Sequence, residues 1–141
     1  MFASTSAPVT ATGSALASAA RALDRMLDAP HGQGAGLDRW RRVTRAHLVE
    51  LRSALGSEAD AVAGADAGAD SWLAARSGGL RREGDALVAR SAGLLGAVLG
   101  SPDVERLRSD LRRFLVDVTH HLQRRHDLAY DSVELELGGS E

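Results

Sequence analysis

Histidine and carboxylate side chains carry most of the chemistry that this sequence of 141 residues offers. The five histidines are His31, His47, His120, His121 and His126. There is no cysteine, which excludes a disulfide framework, a thiolate zinc site, an iron–sulfur cluster and a cysteine nucleophile. Imidazole and carboxylate groups together suit iron or zinc, so the question is whether their spacing brings several of them to one ion.

Four of these donor side chains are spaced so that they could meet inside a helical bundle. At about 100° per residue, His47 lies within the apolar face of the second predicted helix. His121 and His126 lie at opposite borders of the inner face of the fourth predicted helix, and Glu83 borders the core face of the third. The hypothesis is therefore a metal site formed by His47, Glu83, His121 and His126. The alternative is that these histidines pack and form ordinary hydrogen bonds, because the sequence contains no H-E-x-x-H or E-x-x-H pairing.

Arg125 falls near the centre of the inner face of the fourth predicted helix. A buried guanidinium requires a partner, because an unpaired buried charge is very costly. Glu83, or the pair Glu134 and Glu136, could be that partner. Alternatively, the helix ends before Arg125 and leaves the side chain in solvent.

The elements that must position these residues are four amphipathic helices. Apolar residues recur with helical periodicity over about residues 14–29, 37–55, 71–99 and 102–130. Ser14 is a suitable N-cap for the first helix and Pro30 ends it, while Ser101 and Pro102 provide the cap and the first position of the fourth. Short connections between such helices predict an all-α, antiparallel up-down four-helix bundle over residues 14–137.

The segments outside these helices have other compositions. Residues 1–13 are rich in serine, threonine and alanine, and we expect a disordered tail. Residues 56–70 are either a fraying helix end or a flexible linker. The closing sequence VELELGGSE alternates like a strand, so we expect a short extended C-terminal segment packed along the bundle, with residues 138–141 frayed. Small residues every seven positions on the third helix either allow close helix approach or leave room for a ligand: Ser77, Gly84 and Ser91.

Charge and hydropathy limit the classes of partner. The 17 basic residues are all arginine and the net charge is −2, which argues against nonspecific nucleic-acid binding. The longest apolar run, residues 92–99, is far shorter than the ~20 residues that cross a bilayer. No signal-peptide pattern is present, so we expect a cytoplasmic protein. The arginines of residues 39–45 predict a solvated face, with a patch for an acidic partner or RNA as the alternative.

Two segments resemble hemerythrin-like (HHE cation-binding) proteins of actinobacteria. In the third helix, RREGDAL is similar to the pattern Arg-x-Glu-His-x-x-Leu, with Arg82 and Glu83 matching and Gly84 in place of the histidine. The closing segment HHLQRRHDLAYDSVELELGG matches at His121, Gln123, Arg124, Asp127, Leu128, Tyr130, Gly138 and Gly139. The resemblance is specific over these two segments and only architectural over residues 14–55. It implies a hemerythrin-like four-helix bundle.

The resemblance also implies how metal would be held. Hemerythrin-like proteins of the metal-binding kind hold two irons through a histidine on helix one, H-x-x-x-E on helix two, H-x-x-x-H on helix three and H-x-x-x-x-D on helix four. This chain has no histidine in residues 14–29. Four further ligand positions are occupied by Leu51, Gly84, Val88 and His126. A lost di-iron site is therefore expected, with no cofactor, or with a single iron held by the surviving donors.

These observations lead to one expected function and two alternatives. We expect a small binding or regulatory module that is not an enzyme and binds a protein partner or itself, with no nucleic acid and no membrane. The first alternative is a protein that binds one iron or zinc ion through His47, Glu83 and His121 for oxygen or redox sensing. The second is a structural helical module for protein–protein interaction.

Overall fold

Four α-helices make up the fold. The computed structural model describes the backbone of residues 7–65 and 71–139 and the side chains of residues 15–58 and 72–131. The helices are α1 (Ala7–Asp28), α2 (Ala35–Ala65), α3 (Ser71–Gly100) and α4 (Val104–Gly139). Each helix packs on two others, in the pairs α1–α2, α2–α3, α3–α4 and α4–α1. The predicted all-α four-helix bundle is confirmed.

The leucine periodicity that predicted the helices also forms the core. Leu16, Leu23 and Leu27 of α1 are fully buried, and they face equivalent stripes on the other helices. Among residues 15–58 and 72–131, Phe114 is the largest fully buried side chain. Full burial of a leucine or phenylalanine stabilises a fold by about 1.5–3 kcal/mol, so this core supplies the main favourable term.

Two short connections, from α1 to α2 and from α3 to α4, lie at the end of the bundle that contains Pro30. Gly32 and Gly34 have φ angles of 69° and 57°, in the left-handed region that glycine adopts without strain. At the start of α4, the N-cap is Asp103, whose Oδ1 accepts a hydrogen bond from the backbone N–H of Arg106 at 3.0 Å. The prediction that Ser101 caps this helix is wrong, because the helix begins two residues later.

Arginine side chains from neighbouring helices satisfy the C-terminal carbonyls of α1 and α3. Arg41 of α2 donates to Val98 O at 2.9 Å and to Ser101 O at 2.7 Å. On α4, Arg108 donates to the carbonyls of Leu27 and Ala29, and Arg112 donates to the Leu27 carbonyl. Leu27 and Val98 lie in the last turns of α1 and α3, where carbonyls have no partner within the helix, and Ala29 and Ser101 directly follow these helices. Positive charge is favourable at this end of a helix. Arg41, predicted to lie on a solvated face, is therefore half-buried and structural.

The helices are longer than the sequence predicted. Residues 7–13, expected in a disordered tail, belong to α1, and residues 1–6 of that tail lie outside the described residues. Residues 56–65 continue α2, while the rest of the predicted linker, residues 66–70, lies outside the described part. The expected extended C-terminal segment is wrong, since α4 continues to Gly139. A helix satisfies its own backbone groups, whereas an isolated strand has no partner.

Within the described residues, no helix combines the length and apolar character needed to cross a membrane.

Candidate functional site

The candidate functional site is centred on His121 of α4, a histidine that is 2% exposed. Its Nε2 lies 2.8 Å from Oε1 of Glu58 on α2, and its Nδ1 lies 2.7 Å from Oε1 of Glu83 on α3. One imidazole ring therefore connects three helices through two carboxylates.

Helical spacing and one glycine place these groups together. Glu58 follows Leu51 by seven residues and Leu55 by three, so it continues the buried stripe of α2. His121 likewise follows the buried Val118 by three residues on α4. On α3, a Cβ added at Gly84 would lie 3.5 Å from His121 Nε2, so the imidazole ring fills the space that a larger side chain at residue 84 would need.

Two arginines of α4 complete the cluster. Arg124 donates from Nε to Glu83 Oε1 at 3.1 Å and from Nη2 to Glu83 Oε2 at 2.6 Å, a two-pronged arrangement. Nη1 of Arg125 lies 3.0 Å from Glu58 Oε2. The Arg125–Glu58 pair is buried, with side chains 13% and 2% exposed, whereas the Arg124–Glu83 pair is partly in solvent. Each carboxylate thus contacts both the imidazole and one guanidinium.

The protonation of the cluster follows from these contacts. Burial lowers the pKa of His121, but hydrogen bonds to Glu58 and Glu83 outweigh it, and the pKa is raised above the ordinary value of 6.5. Burial raises the pKa of Glu83, but hydrogen bonds from Arg124 and His121 outweigh it, and the pKa lies below the ordinary value of 4.5. Both ring nitrogens of His121 face carboxylate oxygens, and both can donate only in the imidazolium form.

The structure brings together two of the four predicted ligand residues, Glu83 and His121. His47 is half-buried on α2, and its Nδ1 is buried with no hydrogen-bond partner among the described residues. It precedes Glu58 by eleven residues, which is about 16 Å along an α-helix. His126 is exposed on α4 and makes no hydrogen bond or ion pair within the described part of the chain. His47 and His126 therefore do not converge on His121.

Sequence reasoning missed Glu58, because residues 56–70 were assigned to a helix end or linker. The available signal was its spacing from Leu51 and Leu55, which extends the buried stripe by one turn. The predicted need of Arg125 for a partner is met by Glu58. The alternative that the helix ends before Arg125 is wrong, since α4 continues to Gly139. The side chains of Glu134 and Glu136 lie outside the described residues.

The residues present do not fit the di-iron centre that the family resemblance implies. The cluster contains one imidazole, and its two carboxylates already contact guanidinium cations. The two ring nitrogens of His121 point in different directions, so one ion cannot contact both. Across the described residues, no group of three or more histidine, aspartate or glutamate side chains has an arrangement that could hold a metal ion.

Two grooves of the bundle lie away from this cluster. A groove of about 660 Å³ between α1 and α2 is lined mainly by alanine and serine, with Arg25 and Glu50. A second, of about 480 Å³ between α1 and α4, contains Arg21, Asp24 and Arg112. No residue of the His121 cluster lines either groove. His121 and Glu58 are buried in the bundle, whereas Glu83 and Arg124 reach its surface.

No protein-family model, curated protein or solved structure shows significant similarity to this chain. The resemblance to hemerythrin-like proteins therefore stays an expectation from two sequence segments.

Proposed function

We propose that this chain is a small, non-enzymatic binding or regulatory module, built on a hemerythrin-like bundle in which an ion-pair network replaces the di-iron site. One observation carries the proposal. Both ring nitrogens of the buried His121 are committed to carboxylates, and each of those carboxylates also contacts an arginine.

Charge balance supports the loss of metal. In a metal centre, carboxylates compensate the charge of the ions. Here Glu58 and Glu83 face two guanidinium groups and, below its raised pKa, the imidazolium of His121. A metal ion would have to displace these cations from the carboxylates, and would meet their repulsion at short range.

The two contacts of the His121 ring with carboxylates also support a role without catalysis. A general acid or base needs a nitrogen or oxygen within reach of a substrate. His121 is 2% exposed with both nitrogens occupied, and it lines neither of the two grooves described above. The network instead ties α2, α3 and α4 together and holds the bundle surface in one geometry, as a binding module requires.

The alternative of a single iron or zinc ion retains one argument. Its predicted ligands were His47, Glu83 and His121, and of these His47 does not reach the cluster. Glu58 takes its place, so that two carboxylates flank the His121 ring. An ion there would require the release of one arginine and the exchange of a hydrogen bond for a coordinate bond. This alternative predicts stoichiometric metal, whereas the main proposal predicts none.

Elemental analysis of the protein purified without a His-tag tests the proposal. The analysis is repeated after anaerobic iron loading, with an absorption spectrum recorded once air is admitted. We expect only trace metal in both preparations. Iron near two per chain with an oxo-bridge band would overturn the proposal. One ion per chain that disappears in His121→Ala, but remains in the exposed control His126→Ala, would establish the single-metal alternative.

A further inference from the structure

The outer surface of α2 carries a strip of arginines that the bundle does not use. Arg42, Arg45, Val49 and Arg52 follow one another at three- and four-residue intervals, so they lie along one face of the helix. All four are exposed, and Val49 is 41% exposed. The side chains of Arg42, Arg45 and Arg52 form no ion pair or hydrogen bond with another described residue. Seven arginines elsewhere in the chain form such contacts with their side chains: Arg41, Arg76, Arg90, Arg108, Arg112, Arg124 and Arg125.

The neighbouring part of α3 has no charge at all. Residues 91–100 contain no aspartate, glutamate or arginine. On their outer side, Ala92, Gly96 and Leu99 recur at helical spacing and are exposed, with Leu99 at 52%. Arg41 of α2 donates to Val98 O, which places the start of the arginine strip beside the end of this segment.

Together these residues form one surface, the α2–α3 face: Arg42, Arg45, Val49 and Arg52 of α2 with Ala92, Gly96 and Leu99 of α3. A Cβ added at Gly96 would meet no atom within 4 Å, so packing inside this chain does not require glycine there. Glycine destabilises a helix interior relative to alanine. On an outer face, its benefit is a flat surface that another backbone can approach closely.

We propose that the α2–α3 face binds an acidic amphipathic helix of a partner protein. Its carboxylates would contact Arg42, Arg45 and Arg52, and its apolar residues would pack on Val49, Leu99 and the surface at Gly96. Guanidinium groups bind carboxylates with two parallel hydrogen bonds, and the strip spans about 15 Å, or nearly three helical turns. This inference rests on the proposed function of a binding module and names the chemistry of its partner.

The apolar part of the face is what favours a protein helix over a nucleic acid. Binding of single-stranded nucleic acid relies on aromatic platforms for stacking, and the α2–α3 face contains no aromatic residue. The net charge of −2 also opposes a long polyanion, whereas it does little to a short helix bound at a local arginine strip.

The direct test uses two designed alanine-rich peptides of about 16 residues, which exceeds the length below which isolated helices are marginal in water. One carries glutamate on its polar face and leucine and alanine on the other, and the second has lysine in place of every glutamate. Fluorescence anisotropy with the full-length protein should detect the glutamate peptide and not the lysine peptide. The affinity should fall as salt concentration rises, because exposed ion pairs are screened.

Charge reversal locates the binding surface. The triple variant Arg42→Glu, Arg45→Glu, Arg52→Glu should lose at least about tenfold in affinity for the glutamate peptide and gain binding of the lysine peptide. The matched control makes the same change of charge at three exposed arginines outside the face: Arg21, Arg106 and Arg113. It should retain affinity. Gly96→Gln should lose affinity while its melting temperature stays equal or rises, which separates blocked docking from misfolding.

Three outcomes would overturn this inference. They are no binding of the glutamate peptide, equal losses in the two triple variants, and tighter binding of a single-stranded RNA that the same triple variant abolishes. If one of these outcomes is observed and the protein contains no metal, the α2–α3 face is not the binding surface but the proposed function is not contradicted, because metal content is measured separately. Stoichiometric iron would overturn the proposed function whatever the peptides do.

Discussion

Removal of the His121 side chain is the sharpest test of the buried network. In His121→Ala, Glu58 keeps only Arg125 as its charged partner, and its carboxylate, 2% exposed in the native bundle, loses the hydrogen bond to the ring. Glu83 loses less, because it is partly in solvent and keeps both hydrogen bonds from Arg124. We therefore expect nearly all of the cost to come from the Glu58 contact and from the cavity left by the ring.

The magnitude follows from the two contacts. A hydrogen bond to a charged group contributes about 1.5–3 kcal/mol, and the loss of one partner of a buried ion pair costs about 3–5 kcal/mol. Because Arg125 still neutralises Glu58, the lower end of the range for a broken buried ion pair applies. We expect the free energy of unfolding to fall by about 3 kcal/mol. The adjacent His120 is exposed, and His120→Ala should change stability by less than about 0.5 kcal/mol.

Urea unfolding followed by circular dichroism measures both variants by linear extrapolation. If His121→Ala costs no more than His120→Ala, the network contributes nothing to stability and the reasoning is refuted. Glu58→Gln provides a second measurement should His121→Ala fail to fold. A double variant of both positions should cost less than the two single changes together, with a coupling of about 1–3 kcal/mol.

Three further predictions concern pH, capping and packing. Because the pKa of His121 is raised in the folded state, its contribution to stability is full below pH 6.5 and is lost as pH rises through the folded-state pKa. Because the pKa of Glu83 is lowered, its contribution is full above pH 4.5 and is lost as pH falls through the folded-state pKa. Urea midpoints should therefore be highest between these values, and His121→Gln should abolish the alkaline loss. Asp103→Ala should cost about 1 kcal/mol by urea unfolding and Ser101→Ala clearly less, since only Asp103 accepts the N-cap hydrogen bond; equal costs would contradict the capping assignment. Gly84→Leu should lower the melting temperature through overpacking of about 1–3 kcal/mol against the His121 ring, whereas Gly84→Ala should be tolerated, because a Cβ there makes ordinary contact at 3.5 Å.

The bundle was predictable because the leucines that recur along each helix are the residues that become buried. Leu23 and Leu27 illustrate this, since their spacing alone assigns them to one face and both are fully buried. The ends of the helices were not predictable in the same way. The sequence VELEL alternates as a strand would, yet periodicity does not reveal that residues 7–65 and 71–139 contain no strand to pair with it.

The candidate site was only half predictable for a related reason. Glu83 and His121 lie at the borders of predicted inner faces, and the structure joins them. Spacing gives the angle of a residue around its helix, but not its height relative to residues on other helices. For this reason His47 was included in the predicted site, although it lies about three helical turns before Glu58 on α2. Glu58 was left out, although it contacts His121.

The arginine contacts at the C-terminal ends of α1 and α3 affect how this chain folds as well as how stable it is. Arg41 reaches a carbonyl 57 residues along the chain, and Arg112 reaches one 85 residues earlier. Neither bond can form in an isolated helix. The Arg41 bond requires α2 and α3 to pack together, and the Arg112 bond joins α4 to α1, which are not consecutive, so the last turn of α1 gains its partner only when the two ends of the chain assemble. Helix completion and tertiary assembly are thereby coupled, which favours cooperative unfolding. A fragment that lacks α4 should accordingly show faster amide exchange in the last turn of α1, next to Leu27, than the intact chain does.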